Sequence, residues 1–290
     1  MSYASSLKKI YKLIIWKRSE EKQDYEEDEN EGVEVVSIQS ETKYEKNSKR
    51  LTICLKKAEN PLPGNPIVVF GHGNGEKLDD YLGYSENFCP HGISICAIDY
   101  RGYGYSDGEF GSSSVTERED MISVINYLKK AGHQKISYFG RSLGATCGIF
   151  VAAHFPDLVC LAFDSPWLST KEWTEYKAKF FDHIDHDKFE QLLPKVYKQI
   201  LDKTGIDFNT VQEPREAASK ITQPLFVIHG SKDVLVPDSN SKELIDIVQS
   251  KEKVFKTFND GHNGFKRYPL FGEMFNFILK HNGVEIKEKV

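Results

Sequence analysis

The fold is decided by ten residues that read Ile136-Ser137-Tyr138-Phe139-Gly140-Arg141-Ser142-Leu143-Gly144-Ala145. The first four are mostly apolar and end at a glycine, which is typical of a short buried strand. A helical pattern follows over residues 142–154. Between the strand and the helix, glycines two residues either side of Ser142 allow a sharp turn at which the two elements pass closely. The stretch therefore predicts a strand, a tight turn that exposes Ser142, and a helix.

Outward from this turn, short apolar runs alternate with helical patterns along the chain. Such alternation predicts an α/β fold, with a mostly parallel central sheet and helices on both of its faces. Two earlier runs, 33–39 and 51–55, alternate apolar and polar residues and predict two antiparallel edge strands. The predicted parallel strands are 67–70, 93–98, 136–139, 158–163, 225–229 and 254–258, and the main helical patterns cover 115–130, 142–154, 239–250 and 270–280.

One segment, residues 165–220, interrupts this alternation with helical, polar and aromatic sequence. Because it leaves the sheet after a strand and the chain then returns to the sheet, we expect a helical insertion that caps the active site. The predicted core of the domain is therefore 33–164 together with 221–290.

The first 32 residues divide by charge into a basic amphipathic segment and an acidic linker. Residues 1–18 hold five cations and no acid, and residues 19–34 hold nine acids against one lysine. A basic amphipathic helix can touch an anionic membrane surface weakly, cover an apolar patch of its own domain, or pack on a partner. The apolar residues that can share one face of this helix are Leu7, Ile10, Tyr11, Ile14 and Ile15.

The bulk composition excludes several classes of function. A net charge of -5 and a pI near 6.0 argue against nucleic acid as the main partner, because phosphate binding needs a basic face. The sequence contains no run of 18 apolar residues, so it predicts no membrane-spanning helix, and no secretion signal is evident. The five scattered cysteines, an odd number, predict buried thiols in a reducing compartment. We therefore expect an intracellular, cytoplasmic protein.

The serine of the turn has a competitor with the same motif. A serine hydroxyl acts as a nucleophile only where it is exposed to substrate and has a neighbouring base. Ser106, in Gly104-Tyr105-Ser106-Asp107-Gly108, has the same spacing of glycines. It follows no strand and opens no helix, so we assign it to a surface loop and predict Ser142 as the nucleophile. The alternative for Ser142 is an ordinary helix N-cap.

A general base and an acid should follow such a serine in the order acid, then histidine, on loops after later strands. Asp233 follows the predicted strand 225–229, and His262 follows the strand 254–258. Both therefore lie at the carboxyl edge of the sheet and are the predicted partners of Ser142. Asp99 also ends a strand but precedes the serine, which makes it the second choice of acid. His229 is interpreted as a surface residue or a hydrogen-bonded core residue.

The negative charge of a tetrahedral intermediate requires two backbone N–H donors. We expect one from Leu143 at the helix start and the other from Asn74, in the glycine-rich loop Gly71-His72-Gly73-Asn74-Gly75. His183 and His186 stand among acids in residues 182–187 and resemble metal ligands in composition, but this pattern is typical of a solvated helix face. Serine chemistry needs no metal or cofactor, and we expect none.

Together these motifs resemble those of the α/β-hydrolase superfamily, within it the serine aminopeptidase-like and monoglyceride-lipase-like branch. The resemblance covers residues 33–281 and rests on 71–74, 99–108, 140–145, 229–233 and 261–262. It implies the α/β-hydrolase fold and a small-molecule or acyl substrate. Members of this branch include esterases, lipases, thioesterases and peptidases, so the fold alone does not choose the substrate.

Three functions are compatible with this sequence. The leading one is hydrolysis of a carboxylic ester or thioester by Ser142, His262 and Asp233 through an acyl-enzyme. The second is a serine peptidase or aminopeptidase of the same fold. The third is a non-catalytic binding protein with an α/β-hydrolase-like fold. The sequence leaves the oligomeric state open.

Overall fold

Eight strands lie in one sheet in the computed structural model, which describes residues 3–17, 32–45 and 47–286. Six of them follow the apolar runs of the sequence and are parallel, and two antiparallel strands extend one end. A separate pair of two-residue strands, β1 (Trp16–Lys17) and β6 (Phe110–Gly111), is antiparallel. The large sheet contains β2 (Val33–Ser40), β3 (Lys49–Lys56), β4 (Ile67–Gly71), β5 (Ser94–Ile98), β7 (Ile136–Arg141), β8 (Leu161–Asp164), β9 (Leu225–Gly230) and β10 (Lys253–Phe258).

The strand order places a change of direction at β4. Across the sheet the order is β10-β9-β8-β7-β4-β5-β3-β2. From β4 the chain goes to β5 on one side and later to β7 on the other, and ligands of such sheets bind at the carboxyl ends where the direction changes. Gly71 of β4 pairs in register with Gly140 of β7. The loops after β4 and β7 therefore start side by side.

Helices cover both faces of this sheet, as the alternation predicts. On one face a helix at 117–130 packs on the helix that follows Ser142, and on the other the last helix packs on a short one at 85–88. The helices are α1 (Tyr3–Ile14), α2 (Asp79–Leu82), α3 (Ser85–Phe88), α4 (Glu117–Lys130), α5 (Leu143–His154), α6 (Thr170–Asp182), α7 (His186–Thr204), α8 (Pro214–Ala218), α9 (Ser239–Ile247) and α10 (Tyr268–His281).

The predicted strands and main helices all occur, with boundaries that differ by up to three residues. The prediction of two edge strands is wrong for the second one. β3 lies between β2 and β5 and is paired on both sides, which leaves β2 as the edge. The pair β1 and β6 and the helices α2 and α3 were not predicted, because two to four residues are too few to show a periodicity.

The amphipathic N-terminal segment packs on helices of its own chain. Ile10 and Ile14 of α1 are 0% and 1% exposed, in an apolar cluster with residues of α6 and α7 such as Ala178 and Phe189. Of the three alternatives for this segment, the structure has the one in which α1 covers an apolar patch of the same chain. Arg18 and residues 19–31 of the predicted acidic linker lie outside the described residues.

Two expectations from composition can be compared with the structure. No helix among the described residues combines the length and the apolar character that crossing a bilayer requires. All five cysteines lie in the described part of the chain, and none of them forms a disulfide.

The close approach of α5 to β4 leads to a prediction about Gly144. A β-carbon on Gly144 would lie 2.0 Å from the carbonyl oxygen of Gly71, which is backbone and cannot rotate away. Gly144→Ala should therefore lower the free energy of unfolding in urea by about 2 kcal/mol or more.

The matched control is Gly272→Ala in α10. A β-carbon there would meet no atom within 4 Å, so the better helix propensity of alanine should raise the free energy of unfolding by up to about 1 kcal/mol. Equal effects of the two substitutions would contradict the packing described here.

Candidate active site

The turn that carries Ser142 has a strained backbone, and close packing requires glycine at two of its positions. Ser142 has φ 51° and ψ -110°, a conformation that a non-glycine residue rarely adopts. A β-carbon on Gly140 would lie 2.5 Å from the Gly144 carbonyl oxygen, so both glycines of the motif are needed for the turn to close. The Ser142 side chain makes no capping bond to α5. Ser142 therefore occupies the N-cap position of α5 without capping it through its side chain, and the hydroxyl is free for another partner.

Asp233 and His262 lie on adjacent loops at the carboxyl ends of β9 and β10. These strands pair in parallel along their whole length, so their loops start together. Two main-chain bonds then hold the loops to each other: Ser231 N–H donates to the Phe258 carbonyl at 2.9 Å, and Lys232 N–H donates to the Asp260 carbonyl at 3.0 Å. The distance between the two loops is thus set by backbone.

The three predicted residues form one hydrogen-bonded chain. His262 Nε2 lies 3.0 Å from Ser142 Oγ, and His262 Nδ1 lies 2.6 Å from Asp233 Oδ2. Because the Asp233 carboxylate can only accept, Nδ1 carries the proton and Nε2 accepts from the serine hydroxyl. Each of the three residues is 8% exposed. This arrangement can move a proton from a serine oxygen to an imidazole.

Asp233 is kept ionised by the donors around it. Burial alone would raise the pKa of Asp233, but hydrogen bonds from His229, His262 and the Val236 N–H outweigh burial and hold that pKa well below its usual range. Leu235 N–H and Val236 N–H both donate to Oδ1 at 2.8 Å. The carboxylate therefore presents a fixed negative charge to His262.

His229, which was predicted as a surface residue or a hydrogen-bonded core residue, lies in the core and also contacts the acid. Its side chain is fully buried, with Nδ1 2.6 Å from Ser241 Oγ and Nε2 2.9 Å from the Val236 carbonyl. Nε2 also lies 3.3 Å from Asp233 Oδ2. The Val236 carbonyl requires the proton on Nε2, so His229 is a second donor toward the carboxylate.

The predicted oxyanion donors lie on the two loops that start side by side. Among the described residues, no protein acceptor takes the N–H of Leu143 or of Asn74, so both can serve a ligand. The loop after β4 is closed by Glu76, whose Oε2 accepts from Gly73 N–H at 2.7 Å and from Tyr81 Oη at 2.6 Å. Asn74 itself is exposed.

Arg141, between the motif glycine and Ser142, ties these loops together. It forms an ion pair with Glu76 of the loop after β4. Its Nη2 donates to the His262 carbonyl at 3.2 Å and to Asn263 Oδ1 at 2.5 Å. One buried guanidinium thus joins the loop of the predicted donor Asn74 to the loop of His262. This role was not predicted from the sequence, because the two loops that Arg141 joins lie 65 and more residues away from it and carry no local signal.

Ser106, the rejected nucleophile, is not on a surface loop as predicted. It is fully buried, where its hydroxyl accepts from Thr52 N–H at 2.8 Å and donates to the Asp99 carbonyl at 2.5 Å. The Ser106 hydroxyl is buried because its hydrogen bond to Thr52 connects the loop of Ser106 to β3. Burial also raises the pKa of Asp99 to about 7, although Tyr105 and Leu78 N–H groups donate to its carboxylate. Through these two hydrogen bonds the Asp99 carboxylate holds the loops of Tyr105 and Leu78 together.

The residues best placed for a metal lie on the helices of the insertion. One ligand atom each from Glu175, His186 and Glu190 lies within 4.8 Å of the others. His186 is on the exposed face that the sequence predicts as solvated, and its Nδ1 lies 2.5 Å from Glu175 Oε1. Exposed groups of this kind pair with one another, and we assign them no ligand.

Known proteins are similar to this chain in sequence or in fold. The family described as "Serine aminopeptidase, S33" matches residues 64–213. An uncharacterized 31.7 kDa protein of Escherichia coli is 28% identical over 228 residues, which cover 65% of this chain and 80% of that protein. The monoacylglycerol lipase of Mycolicibacterium smegmatis is 23% identical over 240 residues, which cover 72% of this chain and 82% of the lipase.

A solved esterase of Pyrococcus furiosus has a similar structure. Its TM-score is 0.64 at 16% identity, and the match covers 90% of this chain and 96% of the esterase. An identity this low carries the fold alone, and it confirms the predicted α/β-hydrolase fold. The roles of Ser142, Asp233, His262, Leu143 and Asn74 stay predictions.

The short contact between His262 and Asp233 predicts a proton signal. A hydrogen bond of 2.6 Å to an ionised carboxylate should move the Nδ1 proton resonance well downfield of the backbone amides at neutral pH. Asp233→Asn should abolish this signal in a one-dimensional proton NMR spectrum. Asp99→Asn, at another buried carboxylate, should leave it in place, and a signal that survives Asp233→Asn would contradict the assigned tautomer.

Proposed function

The chain belongs to the serine aminopeptidase S33 family, as its motifs predict, and from that premise we propose that this hydrolase cleaves carboxylic esters through an acyl-enzyme on Ser142. The observation that carries the proposal is the hydrogen-bonded chain from Ser142 through His262 to Asp233. An N-cap serine or a structural histidine has no need of these contacts, whereas a serine nucleophile activated by a histidine that an acid orients uses all three residues.

The reaction steps follow from the positions of the protons in the hydrogen bonds that link Ser142, His262 and Asp233. Ser142 Oγ attacks the ester carbonyl carbon while its proton passes to His262 Nε2, and Asp233 stabilises the imidazolium. The carbonyl oxygen becomes an oxyanion and accepts hydrogen bonds from the N–H groups of Leu143 and Asn74. The carbon–oxygen bond to the leaving group then breaks, and His262 gives its proton to the departing alkoxide.

Water completes the cycle. His262, neutral again, takes a proton from a water molecule whose oxygen attacks the acyl carbon. When this second tetrahedral intermediate collapses, the bond from Ser142 Oγ to the acyl carbon breaks and the serine recovers a proton from His262. The products are an alcohol and a carboxylic acid, and the step needs no cofactor.

We place an apolar acyl group beside the helices of residues 165–220, which form the cap in this proposal. Trp167 N–H donates to Thr146 Oγ1 at 3.0 Å, so the start of the segment touches α5 one turn beyond Ser142. The Trp167 ring stacks on Trp173 with centroids 4.3 Å apart, and Trp173 Nε1 donates to the Leu235 carbonyl at 3.1 Å. The aromatic rings thus lie between α5 and the loop that contains Asp233, which favours an apolar part in the substrate.

Labelling with a fluorophosphonate tests the nucleophile. Wild-type protein should be labelled, because the probe reacts with a serine activated by a base. Ser142→Ala should abolish labelling. Ser106→Ala is the matched control, since Ser106 has the same Gly-x-Ser-x-Gly spacing, and this variant should still be labelled.

Two outcomes would contradict the proposal. Unlabelled wild-type protein, under conditions where other serine hydrolases react, would favour a non-catalytic binding protein. Labelling that persists in Ser142→Ala and disappears in Ser106→Ala would mean that the other motif holds the nucleophile.

A substrate series tests the ester assignment against a peptidase. We expect turnover of p-nitrophenyl esters, with kcat/KM rising with acyl chain length because the longer chain buries more apolar surface, by about 0.8 kcal/mol per methylene at most. Aminoacyl anilides and an acyl thioester of matched chain length run alongside. Faster turnover of the anilides would establish a peptidase and reject the ester proposal.

A further inference from the structure

The N-terminal segment, residues 3–17, reaches from the helices of the insertion to the loops of the active site. At one end α1 packs on α6 and α7. At the other end β1 pairs with β6, with Trp16 opposite Gly111 and Lys17 opposite Phe110. Ser113 Oγ also donates to the Ile14 carbonyl at 2.6 Å. The segment is thus fixed by backbone bonds where it meets the core.

Trp16, at the end of this segment, stacks on Tyr103. The ring centroids lie 4.6 Å apart and the planes differ by 12°. Tyr103 is 3% exposed, and its other neighbours restrict it. His72 lies edge-on at 5.1 Å, and a β-carbon on Gly111 would lie 2.5 Å from the Tyr103 hydroxyl. The half-buried Trp16 ring therefore forms one wall of a tight slot around the phenol.

The Tyr103 hydroxyl holds Asn74, the residue to which we assign an oxyanion donor. It donates to Asn74 Oδ1 at 3.0 Å. Burial raises the pKa of Tyr103 well above its usual value, so the phenol stays a donor at any working pH. In the described part of the chain this is the one side-chain hydrogen bond that Asn74 makes.

Asn74 lies beside a glycine in open space, where its side chain adds to the restraints on the backbone. It stands between Gly73 and Gly75, and Gly75 has φ 84° in open space, where a β-carbon would meet no atom within 4 Å. The Gly73 carbonyl, on the same peptide as the Asn74 N–H, accepts hydrogen bonds from Glu76 N–H at 3.2 Å and from His72 Nδ1 at 2.8 Å, and the Asn74 side chain adds a third restraint on this peptide. An oxyanion donor works only within a few tenths of an ångström of its proper place.

We propose that Trp16 and Tyr103 are positioning residues, through which the N-terminal segment holds the Asn74 N–H toward the oxyanion. The inference rests on the proposed esterase function. It assigns the segment a role in catalysis that neither its charge nor its amphipathic pattern indicates. Trp16 restrains the Tyr103 ring, Tyr103 restrains the Asn74 side chain, and this side chain, together with Glu76 and His72, restrains the peptide.

A double-mutant cycle tests the contacts that link Trp16, Tyr103 and Asn74, with kcat and KM measured for a p-nitrophenyl ester. Trp16→Ala, Tyr103→Phe and Asn74→Ala should each lower kcat by roughly 10-fold with little change in KM, because each loosens a contact made only in the transition state. Asn74→Ala keeps the backbone N–H and removes only the hold on it. The double variant Trp16→Ala with Asn74→Ala should be no slower than Asn74→Ala alone.

Controls separate positioning from mere stability. Trp16→Phe keeps a stacking ring and should restore most of kcat. Lys17→Ala, on the same strand with an exposed side chain, should behave as wild type. Thermal unfolding is measured for all variants, and if Trp16→Ala does not fold, Tyr103→Phe alone decides, since it removes one hydroxyl.

The outcomes are distinct. Wild-type kcat in Tyr103→Phe, or losses in Trp16→Ala and Asn74→Ala that multiply in the double variant, would overturn the positioning role while leaving the esterase in place. A wild-type protein that neither turns over the ester nor takes the fluorophosphonate label would instead overturn the proposed function.

Discussion

The contact between the end of β4 and the start of α5 is the constraint on which the site depends. Gly144 sits against the Gly71 carbonyl with no room for a β-carbon. The strained conformation of Ser142, with φ 51°, accompanies this close contact. The contact also brings the two loops with the predicted N–H donors, Leu143 and Asn74, side by side. A helix that stood farther from the sheet would separate the nucleophile from the oxyanion site.

The charged side chains of the site are stabilised by the groups around them. A buried carboxylate is costly unless donors surround it, and Asp233 has two backbone N–H groups and two histidines. It can therefore stay ionised beside His262 and stabilise an imidazolium. Arg141 joins the loops in a similar way, since its charge is matched by the carboxylates of Glu76 and Asp164 and it also donates to the carbonyl of His262. The charged groups of the site thus hold one another in place.

Much of this fold could be predicted from the sequence, because it follows from local patterns. Apolar runs indicated the strands, and the strand before Ser142 and the helix after it separated that serine from Ser106. Predicting Ser106 on the surface failed, since nothing local shows that its hydroxyl bridges to Thr52 across 54 residues. The pairing of Trp16 with Gly111 and the partners of Arg141 were missed for the same reason. Contacts between distant short segments leave no periodicity to detect.

The most direct test of the central claim is a crystal structure of the fluorophosphonate adduct. If Ser142 is the nucleophile, its Oγ is bonded to phosphorus. The phosphonyl oxygen then lies within about 2.7–3.1 Å of the N–H groups of Leu143 and Asn74. A phosphorus atom on any other residue, or a phosphonyl oxygen directed away from both N–H groups, would contradict the account.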